Sequence, residues 1–208
     1  MTSVCVPVLK RYDLLQELIV SLRQGTVRPE RICVINNGDH DIPSEFDVEV
    51  LRPEQPMGVA ASWNWFITNT TDDRVIVNDD ILFAPESLAL LVGQPHDFVS
   101  CTFGFSCFLI RDACVRRVGL FDETISPGYA YFEDMDYFRR MRAAGIVDKV
   151  VQCGVRHRHS ATLAAYTRAE RKEHDRRFEL ARQNYTRKWA CNPSWEQLRD
   201  IGGAGANA

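Results

Sequence analysis

The chain has 208 residues, 45% of them hydrophobic and 25% charged, with a formal net charge of −3. That length buries one sizeable core, and no stretch approaches the ~20 consecutive apolar residues of a membrane span. Met1–Pro7 has neither the basic region nor the apolar core of a signal peptide, so a soluble cytoplasmic protein without a transmembrane segment is expected.

Seven cysteines, at positions 5, 33, 101, 107, 114, 153 and 191, include no Cys-x-x-Cys pair. An odd number among apolar neighbours argues against a disulfide framework and against structural zinc. They read as reduced, buried, small hydrophobes. The charge is uneven: residues 1–155 hold 14 Lys+Arg against 22 Asp+Glu, and residues 156–189 hold 10 against 4. The basic segment is either a solvated helix or a wall facing the phosphates of a nucleotide or nucleic acid.

Ser3–Val8 reads as a first strand, stopped by Pro7 and the polar Lys10-Arg11. A helix follows, with Asp13 and Gln16 at capping-box spacing and an apolar stripe of Leu14, Leu15, Leu18, Ile19 and Leu22. Arg31–Ile35 is a second strand, broken by Asn36-Asn37-Gly38, and Asp47–Leu51 alternates like a third. Val59–Thr70 reads as a helix and Arg74–Val77 as a fourth strand. Strands alternating with helices imply βαβ units and a largely parallel sheet. Ligands bind such sheets at the carboxyl ends of their strands. The turns Val8–Arg11, Asn36–Gly38 and Asn78–Asp80 are therefore expected in one crevice.

Beyond Pro85 the pattern predicts a short helix, then strands near Phe98–Cys101 and Phe105–Ile110. Asp112 is expected to cap a helical turn through Val118. Glu133–Ala144 is helical, ending at Gly145. Lys149–Val155 reads as a strand running into Arg156–Ser160, and Thr167–Ala190 as a basic amphipathic helix. Gly202–Ala208 reads as a disordered tail.

Two acidic clusters carry the chemistry. Asn78-Asp79-Asp80 ends an apolar run, where a buried carboxylate needs a partner, and Mg²⁺ or Mn²⁺ shares carboxylate and phosphate oxygens. The plainer reading is a cap or solvated turn. Glu133-Asp134 opens a helix, where carboxylates are stabilised by free amides whether or not they do chemistry. A base there needs only hydrogen-bond reach of an acceptor hydroxyl. His157 and His159 alternate and point the same way. Each is structural by default, but either could complete a metal shell as neutral imidazole. No Walker loop, dinucleotide fingerprint or nucleophile elbow is present.

With these residues in place, the chain resembles family 2 glycosyltransferases of the GT-A fold, and in particular their rhamnosyltransferase-like branch. Val6–Arg11 resembles the family's first strand and nucleotide-contacting turn, and Ile32–Gly38 its second strand. Gly58 to Asn64 is similar to its Gly-x-x-x-x-x-Asn helix start, and Asn78–Asp80 to its DxD-like site. Val118–Glu123, Tyr131–Asp136 and Arg139 to Gly145 match a further run. Asn184-Tyr185 and Lys188-Trp189 resemble its C-terminal helix. The resemblance covers roughly residues 3–190.

It implies an α/β fold of GT-A (Rossmann-like) type, with a mixed, mainly parallel central sheet flanked by helices and a C-terminal basic helix. Residues 1–190 would form one domain: 1–80 the nucleotide-binding half, 81–160 the acceptor half and 161–190 the C-terminal helix, with 191–208 a tail. The implied reaction is inverting, metal-dependent transfer from a nucleoside-diphosphate sugar to an acceptor hydroxyl. By position, Pro7, Val8, Arg11 and Asn36 would face the nucleotide, and Asn78 and Asp79 the ribose and phosphates. Asp80 and His157 would hold Mn²⁺ or Mg²⁺, and Asp134 would be the base. Glu133, Asp136 and His159 would fall on the acceptor side. Asn36 stands where the family usually has Asp, and Trp63 where a basic residue often precedes the asparagine.

The resemblance leaves the acceptor open among saccharide, lipid-linked glycan and protein. The basic segment keeps a modified nucleic-acid base as an alternative acceptor. A sugar-phosphate nucleotidyltransferase on a similar sheet is a further alternative, although no glycine-rich phosphate loop follows the first strand.

Overall fold

The computed structural model describes residues 2–70, 73–158 and 165–194. Strands β1 (Thr2–Val8), β2 (Arg31–Asn36), β3 (Glu49–Leu51), β4 (Asp73–Val77), β6 (Phe98–Cys101), β7 (Gly104–Ile110) and β8 (Lys149–Val151) form one sheet in the order β3-β2-β1-β4-β7-β6-β8. Only β7 runs against its neighbours. A two-stranded ribbon pairs β5 (Ile81–Leu82) with β9 (Arg156–His157). The helices are α1 (Tyr12–Arg23), α2 (Val59–Asn69), α3 (Ser87–Val92), α4 (Asp112–Val118), α5 (Glu133–Ala143) and α6 (Arg168–Trp189).

The alternation of the strands sorts the core onto two faces. Val4, Val6, Val8, Val34 and Val75 pack under α1 and α3, while Cys5, Cys33, Ile35, Ile76 and Phe108 pack under α2 and α5. Strands buried on both faces read as continuous apolar runs, which is why β1, β2 and β4 were visible in the sequence. Pro7 does not end β1, although the sequence suggested it would. The ladder with β4 stops at Cys5 opposite Ile76, while pairing with β2 continues to Val8 opposite Asn36. Proline's missing N–H therefore breaks no ladder bond.

Three local expectations are corrected. Asp13 and Gln16 form no capping box: α1 starts at Tyr12, and Asp13 instead takes the Arg11 guanidinium at 2.6 Å. Asp112 lies in the first turn of α4 and pairs with the buried Arg74 at 2.7 Å, so the charge pair has displaced the capping role. Lys149–Val155 is not one strand. Gly154 takes φ +75° after β8, and the chain leaves the sheet to pair with β5. The proposed 202–208 tail lies outside the described residues.

The loop between α4 and α5 is fixed at both ends by α2. Asn64 donates to the Phe121 carbonyl at 2.9 Å and to Glu123 at 2.8 Å, and accepts the Phe121 N–H at 2.8 Å. Gly58 lies so close to the far end of the loop that a Cβ there would meet the Tyr129 nitrogen at 2.6 Å, and the Val59 N–H donates to the Tyr129 carbonyl at 2.6 Å. Gly58 and Asn64 thus anchor the approach to α5 from one helix. Asn64→Ala is expected to cost about 2 kcal/mol, because it leaves a buried carbonyl and N–H unpaired, and Gly58→Ala about 1–3 kcal/mol through overpacking. Denaturant unfolding checks both, and a loss under 0.5 kcal/mol in each, on the scale of an ordinary surface change, would show that the loop is held elsewhere.

Candidate active site

The carboxyl ends of β1 and β4 and the amino end of α5 open onto one cleft of about 1280 Å³. Pro7, Val8 and Lys10 line it beside Asn37; Asn78, Asp79, Asp80 and His157 form its floor; Glu133 and Asp134 face it from α5. Tyr129, Tyr131, Glu170, Glu173 and Arg177 complete the wall beside α6.

β9 explains how residues far apart in the chain meet here. Its register sets His157 opposite Ile81, and the Arg158 N–H donates to the Asp80 carbonyl at 3.0 Å. The Asp80 Oδ1 faces the His157 Nε2 at 3.1 Å. That oxygen is buried and takes no aligned hydrogen bond. A buried carboxylate oxygen without a donor is costly unless a cation completes it. The pair therefore fits two ligands of a divalent ion, an oxygen and an imidazole nitrogen, with phosphate oxygens and water supplying the rest. Among the described residues no cluster of three or more such side chains exists. Burial, and then the neighbouring Asp80 charge, push the Asp79 carboxyl up to about 7, and the Arg11 guanidinium partly offsets this.

At α5 the backbone is strained. Tyr131 and Phe132 take φ +95° and +67°, values unusual for residues with bulky side chains. This corner turns Glu133 and Asp134 into the cleft. The Asp134 Oδ1 accepts the Met135 N–H at 2.8 Å, and the Glu133 Oε2 is buried without a partner. Burial raises both carboxyls above their usual range, and the Asp134 charge raises Glu133 further. The corner is held from α6. The Tyr131 hydroxyl meets the His174 Nε2 at 2.8 Å, and the Phe132 ring packs on Phe178 and Tyr185.

Other candidate residues lie elsewhere. Asn36 is buried and fully used in its turn: its Oδ1 accepts from the Tyr12 hydroxyl at 2.7 Å, and its Nδ2 donates to the His40 carbonyl at 2.7 Å. Asn37 is the member of that turn that reaches the cleft. Arg11 forks onto Asp13 outside the lining. Asp136 does not line the cleft: fully buried, it takes Arg140 at 2.9 Å, Lys188 at 2.6 Å and the Trp189 indole N–H at 3.0 Å. His159 lies outside the described residues. Sequence reasoning placed Lys10 in the crevice only as part of the Val8–Arg11 turn; it missed the partner its Nζ meets at 2.5 Å, Glu170, and the Glu170, Glu173 and Arg177 face of α6. Their three- and four-residue spacing was the available signal.

Residues 3–104, close to half of the chain, match the family model described as Glycosyl transferase family 2. Over that stretch the chain is similar to family 2 glycosyltransferases. The family's description is of enzymes that transfer sugars. No curated protein matches the chain in sequence. Among solved structures, mannosyltransferase PcManGT from Pyrobaculum calidifontis, in complex with GDP-Man and Mn²⁺, is similar at a TM-score of 0.64 and 14% identity, over 96% of this chain and 67% of that one. Glucosyl-3-phosphoglycerate synthase from Mycobacterium tuberculosis, with Mn²⁺, UDP and glucosyl-3-phosphoglycerate, is similar at 0.62 and 12%, over 93% and 81%. TarS residues 1–349 from S. aureus follow at 0.60 and 13%, over 97% and 69%. At these identities the likeness establishes the fold: the mixed, mainly parallel sheet between helices is GT-A. Among the described residues no helix is long and apolar enough to cross a membrane.

Asp136 joins α5 to the end of α6 through Lys188, which also reaches Asp122 at 2.6 Å. Asp136→Ala leaves Arg140 and Lys188 facing a buried gap, so a loss of about 3–5 kcal/mol is expected. Calorimetric melting checks this, and an unchanged melting temperature would return Asp136 to the list of acceptor-side candidates.

Proposed function

We propose that the chain transfers a sugar, with inversion, from a nucleoside-diphosphate sugar to an acceptor hydroxyl, in a reaction dependent on Mn²⁺ or Mg²⁺. One observation supports this most strongly. The Asp80–His157 pair, whose buried Oδ1 takes no aligned hydrogen bond, and the raised carboxyl of Asp134 line the same cleft from different elements. Direct displacement needs that division, with the leaving group on one side and the base on the other. The Mn²⁺ bound beside GDP-Man or UDP in the similar structures supports the metal assignment. Those donors differ in base, so the nucleotide is left open. The free, mostly buried cysteines support a cytoplasmic setting.

In this reading residues 1–190 act as one domain. Pro7, Val8 and Asn37 seat the nucleoside, and Asn78 and Asp79 approach the ribose and phosphates. Asp80 and His157 would hold the divalent ion, which when bound supplies positive charge to the diphosphate leaving group. Asp134 takes the proton of the acceptor hydroxyl as the new sugar–oxygen bond forms. Glu133, kept neutral by burial beside it, keeps a second negative charge away from the reacting oxygen.

Asp80→Ala is expected to abolish the rise in melting temperature that nucleotide sugars give with Mn²⁺. An undiminished rise would remove the metal assignment. Asp134→Asn is expected to keep donor binding and to lose transfer by about 10³-fold, within the usual range for a general base. In the native enzyme kcat should rise with pH through the Asp134 value of about 6, because only the ionised carboxylate accepts the proton. One unit below that value, transfer falls to roughly a tenth of its plateau. A flat profile through this range would rule Asp134 out as the base.

A further inference from the structure

The transferase reading uses only the first turn of α5, yet the cleft continues along the helix. Asp134, Phe138 and Arg142 follow one another at four-residue spacing and all line it. Residues so spaced lie on one face, and at a rise of ~1.5 Å per residue Arg142 stands roughly 12 Å beyond Asp134. A second linked sugar ring fills such a length.

At the far end the lining changes character. The Arg142 guanidinium lies over the Phe138 ring at 5.0 Å from its centroid, and its Nε is buried without a hydrogen-bond partner. Asp148 enters the cleft opposite, both oxygens held by the Ser100 hydroxyl at 2.8 and 2.9 Å. Val150, 54% exposed, forms an apolar wall beside them. A fixed donor, a fixed acceptor and a flat apolar surface match a pyranose, whose hydroxyls both give and accept hydrogen bonds while its ring faces are apolar.

The geometry points to a second acceptor subsite formed by Arg142 and Asp148, which binds the penultimate ring of a neutral oligosaccharide whose terminal hydroxyl meets Asp134. The subsite rests on the transferase reading and adds to it the class of acceptor. Anionic acceptors are disfavoured because an anion on Arg142 sits beside the Asp148 carboxylate. The cleft as a whole adds to this, with seven Asp and Glu against three Lys and Arg in its lining.

The test is calorimetric titration of the full chain, with Mn²⁺ and UDP or GDP present. The probes are neutral disaccharides, the methyl pyranosides of their component sugars, and the corresponding sugar phosphates. The native chain is expected to bind at least one neutral disaccharide about tenfold more tightly than its methyl pyranosides. Arg142→Gln is expected to erase that advantage without changing methyl pyranoside or nucleotide binding. Arg142→Lys keeps the charge but loses the Nε donor, and should lose the advantage too, which guards against a folding defect in the glutamine variant. Equal affinity for mono- and disaccharides, preference for the phosphates, binding of no neutral saccharide, or an unaltered advantage in both variants would each overturn the subsite. Nucleotide binding in the same titrations reports separately on the transferase reading: its absence in the native chain would overturn that reading instead.

Discussion

Like charges buried side by side are the constraint on which the site depends. Asp79 and Asp80, both buried, follow the end of β4, and Glu133 and Asp134 begin a helix, Glu133 buried and Asp134 partly open to the cleft. Neither pair is neutralised by a lysine or arginine within it. Each therefore stands at the limit of what a folded chain tolerates, shifted toward protonation or in need of an added cation. A protein with no use for such pairs could replace them with asparagine or glutamine and gain stability. The two pairs respond differently. Asp80 has an imidazole opposite it and an unfilled oxygen, the environment of a metal ligand. Asp134 has a helix amide and a raised affinity for protons, the environment of a base.

The two sides of the cleft are also built with different stiffness. The Asp80 side continues from the sheet: β4 ends there, and β9 closes over it through backbone pairing. The Asp134 side hangs on a long loop and has to be secured from outside. Gly58 and Asn64 of α2 fix the loop, the Tyr131–Phe132 corner leans on His174 and Phe178 of α6, and Lys188 bridges Asp122 and Asp136. Strained φ values at Tyr131 and Phe132 persist only because these contacts outweigh them. Asp136, which sits among the acidic residues of the motif, thus serves placement: it joins the helix that opens on Glu133 and Asp134 to the helix that braces it.

Much of this was legible in the sequence wherever a residue's role is local. Apolar runs ending in carboxylates disclosed β4 and the Asp79–Asp80 turn, and the stripe of Leu14 to Leu22 disclosed α1. Roles set by distant partners were not legible. Asp13 and Asp112 have the composition of caps, yet arginines adjacent or across the fold claimed them. Asn36 and Asn37 are chemically identical neighbours, and only the turn decides that the first binds Tyr12 and the second faces the cleft. The joining of Lys10 to Glu170 across 160 residues has no trace in local pattern.

The basic C-terminal segment shows how a charge count misleads without geometry. Its excess of arginine and lysine suggested a basic wall facing the phosphates of a nucleotide or nucleic acid. In the fold, Arg176 and Arg177 pair with Glu173, Arg182 with Glu179, Arg158 with Glu17, and Lys188 with two aspartates. Exposed pairs of this kind add little stability individually. The acidic partners outside the segment, Glu17, Asp122 and Asp136, offset half of its excess of six, and the field that steers a polyanion depends on unmatched charge. The face that α6 turns to the cleft carries Glu170 and Glu173 beside Arg177, so it adds acid to an already acidic groove. A nucleic-acid acceptor would have to enter against that charge, whereas a polyhydroxylated neutral one finds carboxylates to accept its hydroxyl protons at every wall.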